Sequence, residues 1–384
     1  MPISRIPRDA AKCRRTENLG TIPAGINTPQ VIVDVAKLQQ NIDRVAHRVA
    51  SQGLKLRPHA KTHKMHEIAE RQMDAGAAGL TVATVGEALA FALHGVAKIF
   101  IAYPLWVNES QAARILELMR RAKLSIGTDS VQAVQQMARM LGEKASKIKL
   151  VIEIDSGHHR SGTSPQGAVE IADAARAAGM RVHGIFTFPG HSYSPHGIDA
   201  ALNDEHKALA EAACLLREAG HAIKRISGGS TPTAELSDNS VLTEVRPGVY
   251  VFGDAQQFEL GRVRWEDISL TVASTVISRH EGDGQIPRRI VLDAGSKVLG
   301  SDRPAWATGY GRIAQCPEAR ISALSEHHAT VLWPEHLDLP AHGEQLHVIP
   351  NHVCVAVNLV DNVLAVHEDG TSEVWDVAAR GLNF

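Results

Sequence analysis

The residues best suited to chemistry lie in the basic segment R-P-H-A-K-T-H-K at 57–64. It follows a short strand-like segment and precedes a helical pattern, so it falls where an early strand of an α/β fold ends. In a barrel, active sites lie at that end of the strands. Lys61 could form a Schiff base with a carbonyl cofactor there if neighbouring cations such as Arg57 and His63 lower its pKa. The alternative is a basic surface loop.

A second signal is the small-residue loop S-G-G-S-T-P-T at 227–233, which follows a later strand. Backbone N–H groups and hydroxyls in such a loop can cradle a phosphate. Late strand–helix loops are also where barrels usually bind phosphate. Alone, this loop is a weak signal. Together with an early lysine and a β-rich segment near the end of the chain, it suggests pyridoxal 5'-phosphate.

A third signal is the pair His352 and Cys354, which lies in a run that reads as a strand. In a strand, residues at i and i+2 point to the same face. Imidazole and thiolate would then form half of a zinc site, with water or substrate filling the other positions. The alternative is a buried cysteine beside a capping histidine.

Strands and helices must alternate to bring these groups together, and residues 28–265 show that alternation. About eight strand–helix units in this length predict a parallel (β/α)8 TIM-type barrel, with an open doubly wound sheet as the alternative. The predicted helices include 37–51, 110–122 and 166–178. The predicted strands are 28–35, 80–82, 98–102, 124–127, 149–155, 182–186, 225–227 and 245–252.

From residue 266 the residue pattern changes to runs of β-branched residues, which are separated by turns such as D-G at 283–284. This pattern predicts a compact all-β domain. We therefore expect an N-terminal arm at 1–27, a barrel at 28–265 and a C-terminal β domain at 266–384 that carries the metal pair. The predicted β-domain strands are 269–278, 289–293, 328–332, 344–349, 353–359 and 363–367.

Composition excludes several functional classes. The 40 basic and 42 acidic residues of the 384 give a net charge of -2, which excludes a strong global polyanion field but leaves a local basic patch possible. Neither a membrane span nor a secretory signal is recognisable. Four cysteines without C-x-x-C spacing suggest free thiols in a reducing cytoplasm. Aromatic residues make up only 4%, and no basic stripe interleaved with them indicates a nucleic-acid partner.

The motifs together are specific. The chain resembles the fold-type III pyridoxal-phosphate enzymes, in particular the D-threonine aldolase and D-serine dehydratase family related to alanine racemase. The likeness runs from about residue 28 to the end of the sequence. It is carried by T-P at 28–29, the segments at 57–64 and 228–233, D-S-G-H-H-R-S-G at 155–162, E-V-R-P-G-V-Y at 244–250, D-A-G-S-K at 293–297, E-H at 326–327, P-N-H-V-C at 350–354 and V-W-D-V-A-A-R-G at 374–381.

By that resemblance, Lys61 is the Schiff-base lysine and Arg160 lies beside the cofactor ring. The remaining cofactor-binding residues that it implies are His59, Tyr193, Gly228, Gly229, Ser230, Thr231 and Tyr250. The family binds a divalent metal at a His-x-Cys or His-x-Asp pair, which here is His352 and Cys354, and a thiolate favours zinc over manganese or magnesium. Family members are often homodimers, and their substrates are D-amino acids.

Two lyase reactions follow from the resemblance. In the first, His63 takes the β-hydroxyl proton and retro-aldol cleavage gives glycine and an aldehyde; this histidine could instead orient Lys61 or the cofactor. In the second, Lys61 takes the α-proton, and β-elimination gives a keto acid and ammonia. The segments at 57–64 and 374–381 favour aldol cleavage, which we place first, whereas Cys354 favours the dehydratase. An amino-acid racemase and a cofactor-binding protein are remote alternatives, and the latter class lacks a β domain.

Overall fold

A computed structural model describes residues 22–384, so most of the predicted arm, with Cys13, lies outside the described residues. The chain divides into two compact units. The barrel unit comprises residues 42–250 and 378–384, and the β unit comprises residues 251–377 with the described residues up to 41. The first two elements are β1 (Gln30–Asp34), which lies in the β unit, and α1 (Val35–Ser51).

Eight parallel strands form the barrel unit. They are β2 (Lys55–Leu56), β3 (Leu80–Val82), β4 (Lys98–Pro104), β5 (Lys123–Thr128), β6 (Lys149–Glu153), β7 (Arg181–Phe186), β8 (Arg225–Gly228) and β9 (Glu244–Val245). Their order in the sheet is β2-β9-β8-β7-β6-β5-β4-β3. A parallel bridge between His59 and Thr81 joins the two ends of this order. The predicted (β/α)8 barrel is confirmed.

Helices alternate with these strands, and local capping residues start several of them. Thr84, Asn108 and Ser130 each accept a hydrogen bond from a backbone N–H three residues later, which satisfies a donor that has no partner within the helix. Between α1 and β9, the helices are α2 (His66–Asp74), α3 (Val85–Leu93), α4 (Glu109–Arg121), α5 (Val131–Leu141), α6 (Gly167–Ala177) and α7 (Ile198–Glu218).

The β unit contains a nine-stranded sheet in the order β11-β14-β13-β12-β15-β10-β1-β16-β17, with a further pairing of β11 and β10. That pairing closes the six strands from β11 to β10 in this order into a ring. Residues such as Val272, Leu292 and Val348 on these strands are fully buried. The elements are α8 (Ala255–Glu259), β10 (Leu270–His280), β11 (Arg289–Leu292), α9 (Ser296–Leu299), β12 (Gly311–Ile313), β13 (Cys316–Leu324), β14 (Ala329–Leu332), β15 (Gln345–Pro350), α10 (Val353–Asn358), β16 (Asn362–Val366) and β17 (Ser372–Asp376).

Three strand predictions need correction. The segment at 28–35 does form a strand, but β1 pairs with β10 and β16 of the β unit, because an alternating pattern does not specify which sheet a strand joins. The predicted strand at 245–252 ends at Val245, since Pro247 and Gly248 interrupt it before a 3-10 turn. The predicted strand at 353–359 is instead the helix α10, which buries Val353, Ala356 and Val357 at helical spacing.

The last seven residues of the sequence, 378–384, belong to the barrel unit. The Ala379 amide donates to the Lys64 carbonyl at 3.1 Å, and the Gly86 amide donates to the Phe384 carbonyl at 2.7 Å. The Thr84 hydroxyl donates to the Leu382 carbonyl at 2.6 Å. The barrel unit is therefore built from two separate pieces of the chain. None of the helices in the described part of the chain is long and apolar enough to cross a membrane.

Candidate active site

The predicted lysine lies immediately after β2. A short 3-10 turn covers Ala60–Thr62, and His59 caps it, because its ring Nδ1 accepts a hydrogen bond from the Lys61 amide at 3.4 Å. Burial lowers the pKa of His59 well below its usual value, and the nearby cations Lys61, Arg246 and Arg160 lower it further. A neutral His59 therefore fixes the backbone of Lys61 at the carboxyl end of the strand.

An aromatic ring joins Lys61 to Arg160. The Lys61 Nζ lies 5.7 Å from the centre of the Phe188 ring, and the Arg160 guanidinium carbon lies 4.9 Å from it. The Tyr193 ring centre is 6.1 Å from that of Phe188. The structure thus brings Lys61, Arg160 and Tyr193 together around the apolar ring of Phe188.

The small-residue loop after β8 forms a cluster of hydroxyls and amides. The Ser230 Oγ lies 2.9 Å from the Ser192 Oγ and 3.0 Å from the Thr233 Oγ1. The Ser230 amide donates to the Thr233 Oγ1 at 2.9 Å, and the Gly248 amide donates to the Thr231 Oγ1 at 3.3 Å. Small hydroxyl residues and backbone amides are the groups that a phosphate needs, so the loop fits the phosphate of the expected cofactor.

The glycines of this loop are required by a buried carboxylate that the sequence did not indicate. The Gly229 amide donates to the Glu205 Oε1 at 2.8 Å, and a Cβ on Gly228 would lie 2.3 Å from the same oxygen. Gly229 also has a φ of +74°, which favours glycine. Among the described residues, the Glu205 Oε2 has no hydrogen-bond partner, and burial raises the pKa of Glu205 to about 7.

We expect Glu205→Gln to flatten the pH dependence of stability in the cofactor-free protein. Because the folded-state pKa lies above the ordinary value, Glu205 contributes stability that is fully present below about pH 4.5 and is lost as the pH rises through about 7. Over this pH range, the contribution of Glu205 to the free energy of unfolding changes by roughly 3 kcal/mol at most. Urea unfolding at several pH values measures it. Glu211→Gln, on an exposed part of the same helix, is the control, and identical pH slopes for wild type and Glu205→Gln would contradict the expectation.

Tyr250 and His63 lie at two ends of a buried hydrogen-bond chain. The Gln72 Nε2 donates to the Tyr250 hydroxyl at 3.0 Å, and the Gln72 Oε1 lies 3.3 Å from the His63 Nε2. The His63 Nδ1 accepts from the Met65 amide at 3.1 Å, so Nε2 carries the ring proton and donates to Gln72. Burial lowers the pKa of His63 to about 3. Of the two roles predicted for His63, this geometry favours orientation over proton transfer.

His191 was not predicted as a site residue, although its neighbour Tyr193 was. Both of its ring nitrogens are buried without a hydrogen-bond partner among the described residues. The nearest acid is Asp204, whose Oδ2 is 3.4 Å from the His191 Nε2. Its neighbour Ser192 contacts the phosphate-type loop through Ser230. A half-buried histidine next to that loop, with an acid as its only close polar neighbour among the described residues, is a candidate proton acceptor.

The predicted metal pair lies in the β unit, at the start of α10. His352 is the N-cap of this helix and Cys354 lies in its first turn, so a helix start, and not a strand, brings the imidazole and the thiol within hydrogen-bond reach. The His352 Nδ1 is 2.6 Å from the Asp302 Oδ2. Burial lowers the pKa of His352, but the Cys354 thiolate and the Asp302 carboxylate outweigh it and raise the pKa to about 11.

The surroundings of this pair suit a cation. Asp302, which the sequence did not indicate, holds the His352 ring in the way that carboxylates orient metal-binding histidines. Asp254 accepts from the Gln257 amide at 2.8 Å and from the Val353 amide at 3.2 Å, which fixes the start of α10. No group of three or more His, Cys, Asp or Glu side chains is arranged to hold a metal within the described part of the chain. The imidazole and thiol of the pair are ligands that zinc prefers, so they fit a site whose remaining positions water or substrate would fill.

Comparison with known proteins places the chain in a family. Residues 33–256 match the alanine racemase N-terminal domain, and residues 269–366 match a serine dehydratase domain. D-threo-3-hydroxyaspartate dehydratase from a Delftia species is 32% identical, over 91% of this chain and 97% of its own length. D-threonine aldolase from an Arthrobacter species is 30% identical, over 94% of each chain. D-serine dehydratase from Dictyostelium discoideum is 27% identical, over 90% and 94% respectively.

Solved structures of related enzymes support the same family assignment. The Delftia dehydratase superposes with a TM-score of 0.83 at 31% identity, covering 92% of this chain and 97% of that one. D-threonine aldolase from Filomicrobium marinum gives a TM-score of 0.81 at 27% identity, covering 94% and 97%. These matches confirm the resemblance inferred from the motifs. The chain belongs to the alanine racemase-like, fold-type III family of lyases that includes D-threonine aldolase and D-serine dehydratase.

Proposed function

We propose that the protein is a pyridoxal-phosphate- and divalent-metal-dependent lyase that removes water from a D-3-hydroxy amino acid. In this β-elimination the Cα–H and Cβ–OH bonds break, water leaves, and hydrolysis of the resulting enamine gives a keto acid and ammonia. The observation that carries the proposal is the pairing of His352 with Cys354, because a dehydratase relative has been solved as a histidine variant and as a cysteine variant.

The barrel unit supplies the groups that would hold the cofactor. Lys61 would hold it covalently through its amine, and Arg160 would lie beside its ring. The amides and hydroxyls of Ser230 and Thr231 would hold its phosphate. The bound cofactor supplies an electron sink for the negative charge that develops at Cα. Neutral His59 keeps a further positive charge away from the Lys61 amine.

Lys61 would be the base that acts at Cα of the substrate. Its amine lies 5.7 Å from the centre of the apolar Phe188 ring. The Arg160 guanidinium carbon lies 4.9 Å from the centre of the same ring. In β-elimination, Lys61 would take the proton from Cα of the substrate.

The loss of the hydroxyl group needs a Lewis acid, and His352 with Cys354 would hold a metal ion that supplies it. A thiolate ligand favours zinc. Asp302 would orient His352. A D-threo-3-hydroxyaspartate dehydratase has been solved with alanine in place of a histidine and, in another variant, with alanine in place of a cysteine in a metal-free form. The same pair of residue types at this point of our chain supports a dehydratase-type site.

Retro-aldol cleavage is the second candidate, and His191 is the observation that favours it. This reaction requires removal of the hydroxyl proton, after which the Cα–Cβ bond breaks to give glycine and an aldehyde. A histidine whose ring nitrogens have no hydrogen-bond partner among the described residues could accept that proton. His63, the base first considered, is fully buried and has both ring nitrogens engaged.

The two reactions are distinguished by their products. The protein would be loaded with pyridoxal phosphate and, in separate samples, with zinc or manganese. It would then be incubated with D-serine, D-3-hydroxyaspartate, D-threonine and D-phenylserine, with the L-enantiomers as controls. Keto acid and ammonia in equal amounts, highest with zinc, are expected. Glycine and an aldehyde in equal amounts would overturn the β-elimination in favour of aldol cleavage, and turnover of the L-enantiomers alone would overturn the proposed substrate class.

A further inference from the structure

The end of the barrel opposite the lysine site is lined by cations. Strands β2, β4, β5 and β6 begin at Lys55, Lys98, Lys123 and Lys149, and all four side chains are exposed. Parallel strands start at the same edge of a sheet, and Lys98 is the direct register partner of Lys123. The four lysines therefore stand around one opening. None of them forms an ion pair with another described residue.

Strand alternation turns these lysines towards the interior of the barrel. Side chains two residues apart share a face. Two residues after Lys98 is Phe100, which packs with Val151 and Phe186 in an interior cluster, and Val151 is itself two residues after Lys149. Two residues after Lys123 is Ser125, whose hydroxyl accepts from Arg225 across the barrel at 3.1 Å. The ammonium groups thus surround the axis of the barrel at this end.

A second layer of cations lies deeper in the same opening. Arg57 donates to the Glu244 carboxylate at 3.1 Å, and the Arg225 Nε lies 3.5 Å from it. One buried carboxylate thus faces two guanidinium groups, so positive charges outnumber the negative charge in this layer.

The positive charges at this end of the barrel lower the pKa values of neighbouring cationic groups. Burial lowers the pKa of Lys149, and Arg225, Lys123, Arg57 and Lys98 lower it further. Burial also lowers the pKa of His183, on β7, to about 4; the positive charges of Arg225, Lys149 and Lys224 lower it further, and Glu244 opposes them in part. A cleft lined by one sign of charge concentrates its field and attracts counter-ions.

We propose that this opening is a binding site for a compact polyphosphate anion, distinct from the lysine site. Eight strands spaced about 4.8 Å apart enclose a ring of backbone about 15 Å across. The side chains of a TIM-type barrel fill its interior, so a short run of phosphates would lie across this end, where it contacts several lysines at once. A nucleic acid would need an extended basic stripe with aromatic side chains to stack on the bases, and the opening offers neither.

Inorganic tripolyphosphate is the first probe, with ATP to distinguish a nucleotide from a bare polyphosphate and a single-stranded oligonucleotide as the competing class. Binding would be measured by calorimetry on the protein loaded with pyridoxal phosphate, so that the Ser230 loop is occupied. Saturable binding of tripolyphosphate that weakens steeply with added salt is expected. ATP bound at least as tightly would identify a nucleotide as the source of the phosphates.

The variant Lys123→Ala/Lys149→Ala should weaken tripolyphosphate binding about tenfold or more, because it removes two of the facing charges. It should not lower the thermal midpoint, since it relieves repulsion between like charges. Lys207→Ala, on an exposed position of α7, is the matched control. Should the double variant fail to fold, Lys98→Gln offers the same test with one charge removed.

Three results would overturn the proposal. The first is binding that the lysine variants leave unchanged. The second is binding that Ser230→Ala abolishes, which would place the anion in the loop after β8. The third is an oligonucleotide that binds more tightly than tripolyphosphate at equal phosphate concentration. Failure of the lyase assay would leave this experiment intact, since its readout does not depend on turnover.

Discussion

Lys61→Ala is expected to lose the absorbance band of the covalently held cofactor and to lower kcat by about a thousandfold or more. The reason is that the amine would both hold the cofactor and move the proton at Cα. The 3-10 turn that carries Lys61 is fixed by backbone contacts and by His59, so the truncation should leave the fold intact. Absorbance spectra after dialysis and single-substrate kinetics are the measurements.

Lys61→Arg is the matched control for this prediction. It keeps a cation beside Phe188 and Arg160 but removes the amine that can react. If the role of Lys61 were only electrostatic, the arginine variant would retain most of the activity. A full cofactor band and near-normal kcat in Lys61→Ala would instead show that another lysine holds the cofactor. Lys64, three residues on, is buried in an ion pair with Glu87 and is poorly placed to replace it.

Cys354→Ala is expected to lower metal affinity by more than a hundredfold, since loss of a residue that only orients a ligand already costs about 10–100-fold. It removes one of the two protein ligands that the proposal assigns. Cys354→Asp should retain a metal but shift preference from zinc towards manganese or magnesium, because carboxylates suit harder cations. Metal content of the dialysed protein and competition with a chelating dye measure both effects.

Three further variants make this test specific. Cys214→Ala changes an exposed thiol of the barrel unit and should leave metal content unaltered. Asp302→Asn keeps both ligands but weakens the contact with His352, so a smaller loss of about 10–100-fold is expected. Equal metal content in wild type and Cys354→Ala would contradict the assignment of the pair. His352→Ala should match Cys354→Ala in metal loss.

Much of the fold could be predicted because the strand pattern is strong. Buried parallel strands such as β5 and β6 read as short apolar runs between helices, and capped helices such as α4 begin where their sequence predicts. The pattern failed where local sequence is ambiguous. The valine-rich run at 353–359 suits a strand by propensity, but burial at positions three and four apart makes it the helix α10.

The residues of the candidate site could also be predicted only in part. Lys61, Arg160 and Ser230 could be predicted because their motifs are contiguous in sequence. His63 lies in the same motif, yet its burial and both of its hydrogen bonds depend on α2, which no motif describes. Glu205 and Asp302 contact their partners from distant points of the chain, 24 and 50 residues away, so local sequence gave no signal for either.

The return of residues 378–384 to the barrel unit has a consequence for modular engineering. A chimaera that exchanged residues 42–250 between two relatives would keep a foreign tail, whose hydrogen bonds run to Lys64, Thr84 and Gly86, close to the site lysine in sequence. The two units are thus not exchangeable by a single crossover. Recombination that respects the fold must transfer the barrel segment and the last seven residues of this sequence together.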